Sequence, residues 1–200
     1  MDELEAKEEI RIIREMIEKT KKITAGSWMY LLVWGIVAIL AVITMYILVY
    51  FEKYSWIWLD WIVFVLIGIV FTLFYSRRQN LSLYSKTYAH IASAHISIAC
   101  GISFILVGFV FPGLKLYSWG LIPVFISLVA GILIFTMGGI FEWKLLKFCG
   151  LIWWAGSLAM VLIHENYRAL LFIPLILMGY IFPALLLRSM YQKEKEKNAS

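Results

Sequence analysis

The sequence predicts an all-α polytopic membrane protein: a six-transmembrane-helix bundle preceded by an N-terminal cytoplasmic amphipathic helix. Three observations predict it. Apolar residues make up 62% of the 200 residues and charged residues 16%, against roughly 45–50% and about 25% in soluble domains. The apolar residues form six long runs almost free of charge. The Lys and Arg residues fall overwhelmingly on alternate connections between those runs. A soluble chain of this length has too little interior for so much apolar surface.

The first 22 residues are polar and begin with an acidic run. A cleaved leader would show a basic start and a short apolar core, so none is predicted. Instead Ala6, Ile10, Ile13, Ile17 and Thr20 recur at spacings of three and four, one face of a helix. Glu3/Lys7, Glu15/Lys19 and Glu18/Lys22 are favourable i,i+4 pairs. Such a helix lies along the bilayer surface or packs on its own loops. Alternatively, Ile10, Ile13 and Ile17 dock a cytoplasmic protein partner or a second copy through residues 2–22. Ala25-Gly26-Ser27 breaks the pattern before the membrane. The divisions are therefore 1–26 for helix and linker, 27–188 for the membrane domain and 189–200 for a polar cytoplasmic tail.

The spans are 28–50, 57–75, 91–111, 118–140, 145–163 and 169–187. About 20 helical residues cross a hydrocarbon layer of roughly 30 Å. Helices are required because lipid offers no partner to a free backbone group. The runs are continuous and do not alternate, which excludes a β-barrel. Fifteen Lys and Arg fall on the side of the two termini and three, Lys53, Lys115 and Arg168, on the other. The positive-inside rule then predicts both termini in the cytoplasm and a multi-pass protein of the cell membrane. Tyr and Trp cluster near both predicted interfaces, among them Trp56, Trp58, Trp61 and Trp119 on one side and Trp28 and Trp143 on the other. The net charge of +5 follows from this topology and suits anionic lipid. It predicts no nucleic-acid partner; membrane lipid is the expected one.

Few residues point to chemistry. Cys100 and Cys149 both lie inside apolar runs, so neither a disulfide scaffold nor a zinc site is predicted. Asp60 lies near the outer end of the second span among tryptophans. It either reaches water at the interface or couples to a proton or cation. His90 and His95 open the third span, but five residues turn a helix by about 500°, which separates their faces and argues against a shared metal or haem. His95 is a hydrogen-bonded structural histidine or a proton or ligand contact. Ser103 and Ser157 lack the Gly-x-Ser-Gly setting of a membrane serine protease. Glu8-Glu9 and Arg14 have the wrong spacing for a membrane metalloprotease. No Gly-rich phosphate loop is present. The reading is non-enzymatic, with no catalytic residue, cofactor or metal expected.

Small residues carry more information. Ala89, Ser93, Ser97 and Gly101 recur at every fourth position of the third span, a stripe that lets a neighbouring helix approach. Gly131 and Gly138 offer further close contacts. These stripes pack within one bundle or form a homo-oligomer face.

Glu9–Lys22, Trp34-Gly35 and Gly179-Tyr180-Ile181-Phe182-Pro183 together resemble a group of uncharacterised small bacterial six-helix inner-membrane proteins. These have a charged N-terminal helix, Trp-Gly in the first span and Gly-aromatic-x-x-Pro in the last. The resemblance spans the chain. Such proteins are often encoded beside winged-helix regulators, which implies a sensing or stress role and brings no catalytic residues.

Two functions follow as expectations. The first is a non-enzymatic membrane protein acting through helix contacts, the membrane partner of a regulator. The alternative is a small-solute transporter or channel with a 3+3 inverted repeat. For the latter, residues 104–114 (FILVGFVFPGL) align with 175–185 (LILMGYIFPAL), identical at six of eleven positions. Trp34-Gly35 and Trp119-Gly120 make a second match. Each repeated proline, Pro112 and Pro183, is expected to end its helix.

Overall fold

The structure, a computed structural model, describes residue 11, residues 28–79 and residues 88–197. The docking candidates Ile10, Ile13 and Ile17 lie outside the described residues. No strand occurs among the described residues. Six helical segments are long and apolar enough to cross a membrane. The chain is an all-α, six-span integral membrane protein.

The first span is α1 (Trp28–Tyr50) and the second α2 (Ile57–Gln79). The third is α3 (Tyr88–Ile105), which passes through a π-helical turn, Leu106–Val110, into a last helical turn, Phe111–Gly113. The fourth and fifth are α4 (Ile122–Ile140) and α5 (Lys144–Leu162). The sixth is α6 (Glu165–Ile176), a second π-helical turn, Leu177–Ile181, and α7 (Phe182–Lys197). The last helix outruns its apolar stretch by ten residues, because Arg188–Lys197 are good helix formers with no breaker among them. Pro183 does not end its helix, contrary to expectation. The chain widens by one residue per turn just ahead of it and continues as α7.

α4 and α5 form the most extensive pair. Glycines set their spacing. A Cβ on Gly138 would stand 2.5 Å from the Lys147 backbone nitrogen, and one on Gly150 2.8 Å from that of Phe135. Gly131 accepts the Trp154 ring. Hydrogen bonds lock the pair: Ser157 Oγ donates to the Val124 carbonyl at 2.9 Å, and Trp154 Nε1 to that of Leu128 at 3.2 Å. α1 packs on the sixth span, which also packs on α5. The core fills the space between these four spans, with Val42, Ile134, Trp153, Met160 and Ile176 almost wholly buried. α2 is held to α1, and α3 to α4. Neither contributes much to the core: α2 exposes Leu66, Val70 and Leu73, α3 Ile98 and Ile102. Exposed apolar side chains on a span are at home in lipid.

Three helix ends are closed alike. After α1, Glu52 takes φ 56°, and Lys53 N–H donates to the Leu48 carbonyl at 2.8 Å. After the Phe111–Gly113 turn, Lys115 takes φ 59°, and Leu116 N–H reaches Phe111 at 3.1 Å. After α4, Glu142 takes φ 54°, and Trp143 N–H reaches Gly138 at 2.8 Å. These are Schellman closures that ordinarily use glycine. A side chain there carries about 1 kcal/mol of left-handed strain. Glu142→Gly is therefore expected to stabilise the protein by up to about 1 kcal/mol. Thermal unfolding in detergent checks this, and an unchanged or lower midpoint would refute it.

Candidate functional site

The two π-helical turns occupy equivalent places in the repeated segment. Leu106–Val110 and Leu177–Ile181 are 71 residues apart, each followed by Phe-Pro. The prolines explain them. A proline ring clashes with the carbonyl four residues back, and its missing N–H leaves that turn short of a donor. The widened turn moves the Phe111 N–H onto the Leu106 carbonyl, and the Phe182 N–H onto that of Leu177. One carbonyl per segment then has no helical donor. Val107 has lost Phe111 to Leu106, and its next partner would be Pro112. Met178 has lost Phe182 in the same way, and its next partner would be Pro183.

Both carbonyls are met by a side chain from elsewhere. The Tyr117 hydroxyl donates to Val107. The Cys149 thiol donates to Met178 at 3.7 Å. An unmet buried carbonyl would cost about 1–3 kcal/mol, so each donor is structural to its turn. Tyr117 reaches back from the turn after Lys115 and leans on Phe125, with ring centroids 4.7 Å apart. Burial pushes its hydroxyl above the ordinary phenol range, so it is a proton donor throughout neutral pH. Tyr117→Phe removes the donor and keeps the ring. A loss of about 1–2 kcal/mol is expected, against less than 1 kcal/mol for Cys149→Ala, whose thiol is a weak donor. Midpoints of the two variants in detergent check the order.

The second turn faces the centre of the core. Trp153, one helical turn after Cys149, is 1% exposed. It meets Phe172 and Tyr180 edge-on, with centroids 5.5 and 5.3 Å apart. Its indole lies over Gly179, where any side chain would collide. Trp153 Nε1 is buried and has no hydrogen-bond partner.

The halves correspond beyond the prolines. Phe51-Glu52 closes α1 and Phe141-Glu142 closes α4, each with Glu left-handed and each leading directly into the next span. α1 packs on α2 and the sixth span; α4 packs on α5 and the third. Exchanging spans one to three with four to six maps these contacts onto one another. The exchange is imperfect, since α5 packs on the sixth span while α2 and α3 are not among the closely packed pairs. The Trp-Gly match does not fit it: Trp34-Gly35 lies within α1, whereas Trp119-Gly120 begins the short turn before α4. Three spans per half make the halves antiparallel across the membrane.

Asp60 and His95 are not brought together. Asp60 Oδ1 and Thr44 Oγ1 are 2.6 Å apart, joining α2 to α1, and Asp60 Oδ2 is buried without a partner. His95 Nδ1 turns back to the Ile91 carbonyl of its own helix at 2.8 Å, at an exposed position. Ser97 bonds likewise to Ser93 at 2.8 Å. Gly101, expected to hold a neighbouring helix close, has open space where a Cβ would stand. Ala89 and Ser93 of the same stripe are half-buried and Ser97 is exposed. Gly131 and Gly138, by contrast, lie in the α4–α5 contact. No cluster of three metal-ligating side chains occurs among the described residues. An apolar groove of about 430 Å³ opens between α1 and α6, lined by Ile43, Tyr46, Ile47, Tyr50, Leu170 and Ile173 among others.

The chain matches no known protein family, curated protein or solved structure. The site is therefore read from its own geometry. The sequence singles out Asp60 as a candidate and shows the repeated Phe-Pro. Sequence reading missed Thr44, Tyr117, Cys149 and Trp153, whose roles depend on which carbonyl, carboxyl or glycine faces them.

Proposed function

We propose that this integral membrane protein acts through contacts made within the bilayer, with no chemistry of its own, as the membrane partner of another chain. One observation carries the reading. The four-span core is filled by side chains and by backbones in close approach, while the small-residue stripe of α3 ends at a glycine with nothing against it. A stripe of that kind admits a neighbouring helix. Both termini are placed in the cytoplasm of the cell, from the fifteen-to-three charge split. A photo-crosslinking residue at Ser97 or Gly101 in native membranes is expected to trap a discrete second chain, and one at Val70 only lipid. Lipid adducts alone at all three positions would overturn the reading. A reporter active only in the cytoplasm, fused to each end, tests the orientation.

The paired π turns favour a second reading, a small-solute transporter. Inverted repeats are frequent in transporters, whose sites lie where the halves meet at interrupted helices. π-helical turns recur at functional sites. Uptake by vesicles holding the purified protein, compared with empty vesicles, tests it.

A further inference from the structure

We propose that Asp60 is a proton-binding site of the membrane domain, its carboxyl held as the neutral acid that donates a hydrogen bond to Thr44. The proposal rests on neither functional reading.

Depth comes first. Asp60 lies six residues inside the span Tyr54–Arg77, about 9 Å along the helix from its end. Thr44 lies six residues inside the facing end of Trp28–Tyr50. The pair therefore meets inside both spans, fewer than two helical turns from their ends and beside Trp61 of the aromatic belt.

Thr44 has one hydroxyl hydrogen and three oxygens in reach: the Leu40 carbonyl at 2.9 Å, the Ala41 carbonyl at 3.2 Å and Asp60 Oδ1 at 2.6 Å. A threonine in a helix ordinarily turns its hydrogen back to such a carbonyl. Its oxygen then offers Asp60 lone pairs and no donor. With a proton on Oδ1, the chain Asp60 to Thr44 to Leu40 is satisfied in sequence. Without it, the Thr44 hydrogen would turn to Oδ1, and Oδ2 would be left as the unmet half of a charge.

The other carboxyl oxygen decides the matter. Oδ2 is buried with no partner. As the carbonyl of a neutral acid it lacks one hydrogen bond, a cost of about 1–3 kcal/mol. As half of an anion it would be an unpaired buried charge, several times dearer. Among the described residues of α1, α2 and their connection, no cation is paired with that charge. α1 brings only Tyr30, Tyr46 and Tyr50 as ionisable groups, and the turn ahead of α2 brings Tyr54. Glu52 and Lys53 in the connection are exposed. On α2 itself the nearest cation is Arg77, 17 residues away at the opposite end. Asp60 is thus a carboxyl that keeps a proton inside the bilayer, next to a hydroxyl that can pass it on.

The full-length protein in lipid vesicles at neutral pH tests this in two ways. Dicyclohexylcarbodiimide partitions into lipid and reacts with a carboxylic acid. The acid proton goes to one carbodiimide nitrogen, the carboxyl oxygen adds to the central carbon, and an acyl shift leaves a stable N-acylurea. Peptide mapping is expected to find that adduct at Asp60. A water-soluble carbodiimide with glycine ethyl ester is expected to spare Asp60 and take exposed Glu52, Glu142 and Glu165. Asp60 captured by the water-soluble reagent and not by the lipid-soluble one would overturn the proposal. Independently, the infrared carbonyl band of a protonated carboxylic acid is expected in the native protein. Its absence there would also overturn the proposal. Asp60→Asn should lose that band yet unfold at the native midpoint, since an amide donates to Thr44 as the acid does. A marked fall in midpoint for Asp60→Asn, rescued by neither neutral nor acidic buffer, would show that the native group is the anion.

Discussion

Gly150→Leu is expected to abolish the folded bundle, while Gly101→Leu leaves its unfolding midpoint in detergent unchanged. Both glycines lie in membrane spans and look alike in sequence. Their surroundings differ. A Cβ at Gly150 would stand 2.8 Å from the backbone nitrogen of Phe135 and 2.9 Å from its Cα. A backbone cannot rotate aside as a side chain can, so α4 and α5 must separate. Overpacking in a filled core costs about 1–3 kcal/mol when side chains can adjust. Here they cannot, and the separation also strains the Ser157–Val124 and Trp154–Leu128 hydrogen bonds. About 4 kcal/mol or more is expected, a fall of roughly 10 °C in midpoint or failure to accumulate. At Gly101 the added side chain enters open space. Equal midpoints for the two variants would sink the account. Gly101→Leu carries a second reading: if α3 holds a partner chain, it should lower copurification with that chain without touching the midpoint.

The contrast shows where sequence reading stops. Hydropathy located the spans, because crossing lipid demands long apolar helices whatever surrounds them. The range 28–50 coincides with α1 and the others differ mainly at their ends. Helices run past the apolar boundary when no breaker stops them, so α2 reaches Gln79 and α7 reaches Lys197. A stripe of small residues, however, has the same sequence signature whether it faces a helix or lipid. Gly131, Gly138 and Gly101 could not be told apart until their neighbours were in place. The repeated Phe-Pro was legible, but its consequence was not. Proline was expected to stop each helix, and the third span does end one residue after Pro112, whereas α7 runs on past Pro183. Not foreseen was that each proline also shifts the hydrogen-bond ladder by one residue and leaves Val107 and Met178 to be met by Tyr117 and Cys149. Those donors come from a turn and from another span, at no fixed sequence distance. The Phe-Glu closures after α1 and α4 were visible as residues, yet only their left-handed geometry makes them equivalent.

Trp153 should prove the largest single side-chain contributor to the core, and the way it fails under substitution tests how the second π turn is built. Trp153→Ala removes a ring that fills the space between Phe172, Tyr180 and Gly179. Large aromatic truncations in filled cores cost about 3–5 kcal/mol. Trp153→Phe should cost far less, because it also removes the indole N–H that is buried without a partner, a group that itself destabilises by about 1–3 kcal/mol. Gly179→Ala alone drives a methyl into the indole and should be severe. In the Trp153→Ala background that methyl enters the vacated space. The double variant is then expected to be more stable than the sum of the single effects predicts, by about 1–3 kcal/mol, as neighbours sharing one cavity behave. Unfolding midpoints of the four proteins complete the cycle. Additive losses would mean that Trp153 and Gly179 do not share that space, and the packing that seats the second turn on α5 would have to be redrawn.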